Sequence, residues 1–151
     1  KISISQPTNA RVVKHIQDFV HFFSDPGTVT VEDLLAAVKD LRCLLSVDLK
    51  HPAVKYIIDA GALPYFVAFL TNDKYPMLQL EAAWVLTIIA STRRTKDVAN
   101  CENAVSALVK LLYSPDAHVR DFAIKCIGNI AEDGVSFRDG CLCEPDLIKG
   151  M

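Results

Sequence analysis

The side chains able to do chemistry in this chain favour contact over catalysis. Its only tryptophan, Trp84, lies in the stretch Met77 to Ser91, MLQLEAAWVLTIIAS. In a helix, Met77, Glu81, Trp84, Ile88 and Ser91 of that stretch fall on one stripe at three- and four-residue spacing. The stripe mixes apolar, acidic and hydroxyl groups, so a large aromatic there is not expected to be packed on every side. By contrast, His15, His21, His51 and His118 are scattered, and none pairs with a Ser or Cys at a catalytic spacing. There is no glycine-rich phosphate loop, carboxylate pair or nucleophile elbow. Cys141 and Cys143 are the one close cysteine pair, with no second pair or histidine cluster to complete a zinc site. Neither enzyme activity, nor a metal, nor a cofactor is expected.

Composition narrows the partners. At 151 residues, 51% of them hydrophobic, the chain can bury a sizeable core. A net charge of −2 argues against nucleic acid, whose binding surfaces carry a basic excess. Arg93, Arg94 and Lys96 make a small basic loop, which reads as plain exposed surface. No apolar run reaches the ~18 residues of a membrane span, and the polar start, Lys1 to Asn9, is not followed by the apolar region of a secretory signal. Five cysteines, an odd number without a regular framework, read as reduced intracellular thiols.

The elements that position Trp84 repeat. Leu78, Ala82, Val85, Leu86 and Ile89 form a second stripe on the same helix, wholly apolar and fit for a core. Val119 to Asp133, VRDFAIKCIGNIAED, has the same shape: Ala82-Ala83-Trp84 meets Ala123-Ile124-Lys125, and Ile88-Ile89-Ala90 meets Asn129-Ile130-Ala131. Ala90 and Ala131 are 41 residues apart, Leu70 and Leu112 are 42. A period of this size built from helices marks an armadillo or HEAT solenoid. The expected fold is therefore all-α, a right-handed superhelical solenoid of about three armadillo units.

Residues 1–8 read as a frayed end, and 9–151 as the repeat domain, with units at 9–46, 53–91 and 95–133 and a partial fourth at 134–151. Asn9 is expected to cap a first helix reaching Phe23. Thr30 and Asp33 should form a capping box for a helix from Val31 to Ser46. Gly61 should close a short helix from Ala53 to Ala60. Pro64 should sit in the first turn of the next helix. Short helices before each long one, 95–100 and 104–113 in the later copy, complete the unit. The chain stops at Leu147, Ile148 and Met151 without a polar capping unit, so it reads as a piece of a longer array.

Asp59-Ala60-Gly61-Ala62-Leu63-Pro64, Glu81-Ala82-Ala83-Trp84-Val85-Leu86-Thr87, Gly128-Asn129-Ile130-Ala131 and Asp133 with Phe137-Arg138-Asp139 resemble the first armadillo repeats of the importin-α family of nuclear-import adaptors. The likeness runs from about Val29 to Asp146. It implies a protein of cytoplasm and nucleus that binds cargo proteins bearing Lys/Arg-rich nuclear localisation signals. In that family asparagines clamp the backbone of an extended peptide, while tryptophans wall slots for lysine or arginine stems by apolar and cation–π contact. Carboxylates at the slot ends take the cationic groups. No basic arm of the kind that engages importin-β precedes Val29, so that partner is expected only if the full protein carries such an arm.

Position by position, the resemblance assigns the peptide groove to Glu81, Trp84, Ile88 and Ser91 on one helix and Phe122, Lys125, Asn129 and Asp133 on the next. Trp84, Asn129 and Asp133 match the family. Ile88 stands where an asparagine belongs, Lys125 where a tryptophan belongs and Phe122 where a glutamine is usual; Lys39 and Cys43 hold the corresponding places in the first unit. Ile88 cannot hydrogen-bond a peptide, and Lys125 both removes an aromatic wall and repels a basic ligand. A groove at least about tenfold weaker than an intact one is expected, a difference of ~1.4 kcal/mol. On residue type alone Trp84 reads as core, Lys125 as a solvated lysine and Asn129 as a helix-pairing side chain. The alternative function is a drifted scaffold that binds another protein through an apolar groove of Met77, Trp84, Ile88 and Phe122.

Overall fold

The computed structural model describes residues 7–24, 27, 29–47 and 53–133. These form eight α-helices and, among the described residues, no strand. The all-α, helical-repeat class expected from the period is the class observed. No single helix among the described residues is long and apolar enough to cross a membrane. The chain divides into two compact units, residues 1–62 and 63–151.

In the first unit, α1 (Pro7–Ser24), α2 (Val31–Val47) and α3 (Ala53–Asp59) pack together. Helix α1 starts two residues before Asn9, so Asn9 lies inside the helix and not at its cap; Pro7 and Thr8, expected to fray, are helical. The physical reason is Pro7, whose fixed φ and missing N–H suit the first helical position. Ile16 and Phe19 of α1, Val38, Leu41 and Leu45 of α2 and Ile57 of α3 are all buried at the three- and four-residue spacings of a helix face.

The capping box on α2 is formed. Thr30 Oγ1 accepts the Asp33 N–H at 3.1 Å, and the Asp33 carboxylate accepts the Thr30 N–H at 3.2 Å. Two otherwise orphaned N–H groups are thereby satisfied. Thr30→Ala is expected to lower stability by about 1 kcal/mol in urea unfolding, with an unchanged fold by circular dichroism. After α3 the chain turns through Gly61, whose φ is +72°. The Ala62 N–H reaches the Ile57 carbonyl at 3.2 Å and the Gly61 N–H reaches the Ile58 carbonyl at 3.0 Å, the paired bonds of a Schellman turn. A Cβ at Gly61 would meet open space, so the backbone angle and not crowding selects glycine.

The second unit contains α4 (Leu63–Leu70), α5 (Pro76–Ala90), α6 (Thr95–Asn100), α7 (Ala104–Leu111) and α8 (Ala117–Asp133). Along the chain, α6, α7 and α8 repeat the short, short, long order of α3, α4 and α5. Pro64 is in the first turn of α4, and Pro76 opens α5. Helix α5 packs against α4, α6 and α8, and its apolar stripe, Leu78, Ala82, Val85, Leu86 and Ile89, is at most 1% exposed. On α8 the matching stripe of Val119, Ala123, Cys126 and Ile130 is fully buried. Gln79, itself buried, donates from Nε2 to the Leu70 carbonyl at 2.7 Å and so satisfies an acceptor left open at the end of α4. The partial fourth unit, the Phe137-Arg138-Asp139 match, His51, and the Cys141 and Cys143 pair lie outside the described residues.

Candidate peptide-binding groove

Helices α5 and α8 place the candidate residues in two clusters. In the first, the half-buried Trp84 of α5 stacks on Phe122 of α8, ring centroids 4.8 Å apart and planes 22° from parallel. Lys125, one turn beyond Phe122, holds its Nζ 5.5 Å from the centroid of the Phe122 ring and pairs with the Asp121 carboxylate at 2.6 Å. The Thr87 hydroxyl lies 2.7 Å from the Ala83 carbonyl and 3.1 Å from the Phe122 carbonyl, so the two backbones are tied beside the stack. Trp84 is thus neither sealed in the core nor an open wall.

The mixed stripe of α5 is less open than its sequence suggests. Met77, at 48% exposed, and Ser91 are presented to solvent, whereas Glu81 and Ile88 are only 4% and 9% exposed. The cause is the number of neighbours: a helix flanked by α4, α6 and α8 is covered over most of its circumference.

The second cluster is a hollow of about 250 Å³ lined by Ala90 at the end of α5, Ser91 and Thr92 in the turn after it, Thr95 at the start of α6, and Asn129, Glu132 and Asp133 at the end of α8. It brings Ser91, Asn129 and Asp133 together, three of the residues singled out from the sequence. Helix α5 ends without a glycine; its last carbonyls are met by hydroxyls as well as by the Ser91 and Thr92 N–H groups. Ser91 Oγ donates to the Ile88 carbonyl at 2.7 Å and Thr92 Oγ1 to the Ile89 carbonyl at 2.7 Å, while Thr95 Oγ1 shares its proton between the Ala90 carbonyl at 2.8 Å and the Thr92 carbonyl at 2.7 Å. A hydroxyl has one proton and two lone pairs, so each of these oxygens can now only accept, and that of Thr92 already accepts the Arg94 N–H at 3.1 Å. With the Glu132 and Asp133 carboxylates, the lining offers acceptors almost throughout, and the Asn129 amide is its one side-chain donor.

Thr92, Thr95 and Glu132 were not expected in the site. In the segment 92–96 the basic Arg93 and Lys96 are exposed as expected, but Thr95 is 5% exposed and Arg94 pairs with Asp97, with Nε and Oδ2 2.8 Å apart. The legible signal was the run of hydroxyl residues just past the last apolar position of α5. A larger cleft of about 480 Å³ between the loops that precede α5 and α8 has both Asp73 and Lys110 in its lining, so it selects no charge.

No group of three or more His, Cys, Asp or Glu side chains that could hold a metal ion occurs among the described residues. Burial first, and then the charge of Glu102, push the Cys101 thiol up from its ordinary value. That is the reverse of what a thiolate nucleophile needs.

Residues 50–91 match the armadillo/beta-catenin-like repeat and residues 76–130 match the HEAT-like repeat. Importin subunit alpha-2 of Arabidopsis thaliana is 44% identical over 115 residues, which cover 76% of this chain and 21% of that protein. Importin subunit alpha-1b of Oryza sativa subsp. japonica is 42% identical over 126 residues, 82% of this chain and 22% of that protein. The chain is an armadillo/HEAT-repeat protein related to the importin-α family. A further importin-α relative, importin subunit alpha-6 of Arabidopsis thaliana, is 36% identical over 94% of this chain and 26% of its own length. The chain thus spans about a fifth to a quarter of these importin-α proteins. Among solved structures, two crystal structures of engineered proteins are similar, with TM-scores of 0.71 and 0.73 and sequence identities of 29% and 27%. They cover 84% and 87% of this chain and 49% and 31% of their own chains.

Proposed function

We propose that this chain is the cargo-binding part of an importin-α-like adaptor, one that recognises Lys/Arg-rich nuclear localisation signals and moves between cytoplasm and nucleus. The observation that carries the reading is the lining of the hollow at the ends of α5 and α8. Carboxylates and hydroxyls whose protons are already committed to backbone carbonyls suit a ligand that both donates and carries positive charge, as lysine and arginine do. Asn129, beside them, has the amide needed to bond a peptide backbone. Ile88 and Lys125 weaken the remainder of the groove, so affinity falls at least about tenfold below that of an intact one. Engagement of importin-β rests on a basic arm elsewhere in the full protein. Nothing in the reading calls for nucleic acid, membrane or a cofactor.

The test is a titration of the chain with a fluorescein-labelled Lys-rich peptide and with the same peptide carrying Gln for every Lys. Binding of the first, weakening as salt is raised and absent for the second, is the expected result. Equal binding of the two would replace this reading with the apolar-scaffold alternative.

A further inference from the structure

In the basic-peptide reading, on which this inference rests, a lysine stem lies flat against Trp84 while its ammonium reaches the acidic hollow. The geometry between α5 and α8 does not leave that path open. A methylene stem held between two rings needs roughly 7 Å of separation, two carbon contacts of ~3.5 Å each. Trp84 and Phe122 are in direct stacking contact, with centroids at 4.8 Å. The position of a bound cation is also taken: Lys125 holds its own ammonium over the Phe122 ring and is kept there by Asp121. The hollow stops short of this cluster, since none of Trp84, Phe122 or Lys125 is among its lining residues.

We propose that Phe122 is an internal plug of the groove, stacked where a lysine stem would lie and held by Lys125, so that a basic side chain enters the hollow end-on until Phe122 swings away. Phe122 is then a specificity-determining residue. The resident chain favours ligands that present a cation at the tip of an otherwise unstacked side chain, and disfavours those that draw their affinity from aromatic walls.

Trp84 is the single tryptophan, so its fluorescence reports on this site alone. The experiment compares the unaltered chain with Phe122→Ala and with the length-preserving Phe122→Gln, titrated with a Lys-rich peptide. Affinity is read from a label on the peptide, Trp84 emission is read separately, and circular dichroism checks the fold. Both variants are expected to gain about tenfold in affinity, and peptide should shift Trp84 emission in the variants but not in the unaltered chain. Lys125→Ala should gain less, about threefold. If the unaltered chain binds with a Trp84 shift as large as in Phe122→Gln, and with the same affinity, the plug is refuted while the basic-peptide reading stands. If the unaltered chain and folded Phe122→Gln both fail to bind, the basic-peptide reading falls and the plug falls with it.

Discussion

Asp133→Lys is expected to weaken binding of a Lys-rich peptide at least about thirtyfold, because the substitution removes an attraction and installs a repulsion at the same spot. Asp133 closes α8 and lines the hollow beside Glu132, Asn129 and the hydroxyls that follow α5. The comparison that gives this meaning is Asp59→Lys. Asp59 closes α3 in the other unit, where it pairs with Lys55 on the surface, and the change alters net charge equally. A general electrostatic field would make the two variants alike. A built site would spare Asp59→Lys, because Asp59 is not among the lining residues of the hollow, leaving the variant within about twofold of the parent chain at moderate salt. Equal losses would overturn the assignment of the hollow.

Leu86→Ala should be the most damaging single truncation, costing 2 to 5 kcal/mol (order ~3 kcal/mol) by the measure of buried leucines in other cores. Leu86 is fully buried on α5, the helix that α4, α6 and α8 all touch. The cavity would therefore open where several helices meet and where few can close in. Ile124→Ala supplies the contrast. Ile124 is 60% exposed on α8 although it occupies the place in its repeat that the fully buried Ala83 occupies on α5. Its truncation should change stability by no more than ~0.5 kcal/mol. Urea unfolding followed by circular dichroism measures both, and comparable losses would mean that the repeat pattern, not the packing, governs stability.

Much of the fold was legible because the signals were local. The apolar stripe of α5, the Thr30 and Asp33 box and the left-handed Gly61 each depend on residues within a few positions, and each is formed as its spacing suggests. Asn9 was misread because Pro7 offered an equally local and better start. The site was harder. That Glu81 and Ile88 are covered, and that Phe122 meets Trp84, depends on how two helices separated by a whole repeat lie against each other, and side-chain periodicity carries no information about that. The hollow was half legible: Asn129 and Asp133 followed from the family likeness, but Thr92 and Thr95 looked like ordinary loop residues until the carbonyls they serve were known.

The order of contacts along α5 and α8 has a consequence of its own. Trp84 meets Phe122 in mid-helix, and the ends of the same helices meet at the hollow, so the two long helices run in the same direction. Their peptide dipoles then point the same way and add at one end, where in an up-and-down bundle they would cancel. Each contributes roughly half a negative charge at its carboxyl terminus. Removing both carboxylate charges by Glu132→Gln and Asp133→Asn would therefore leave a residual pull on cations, and the groove should lose its grip by degrees and not all at once.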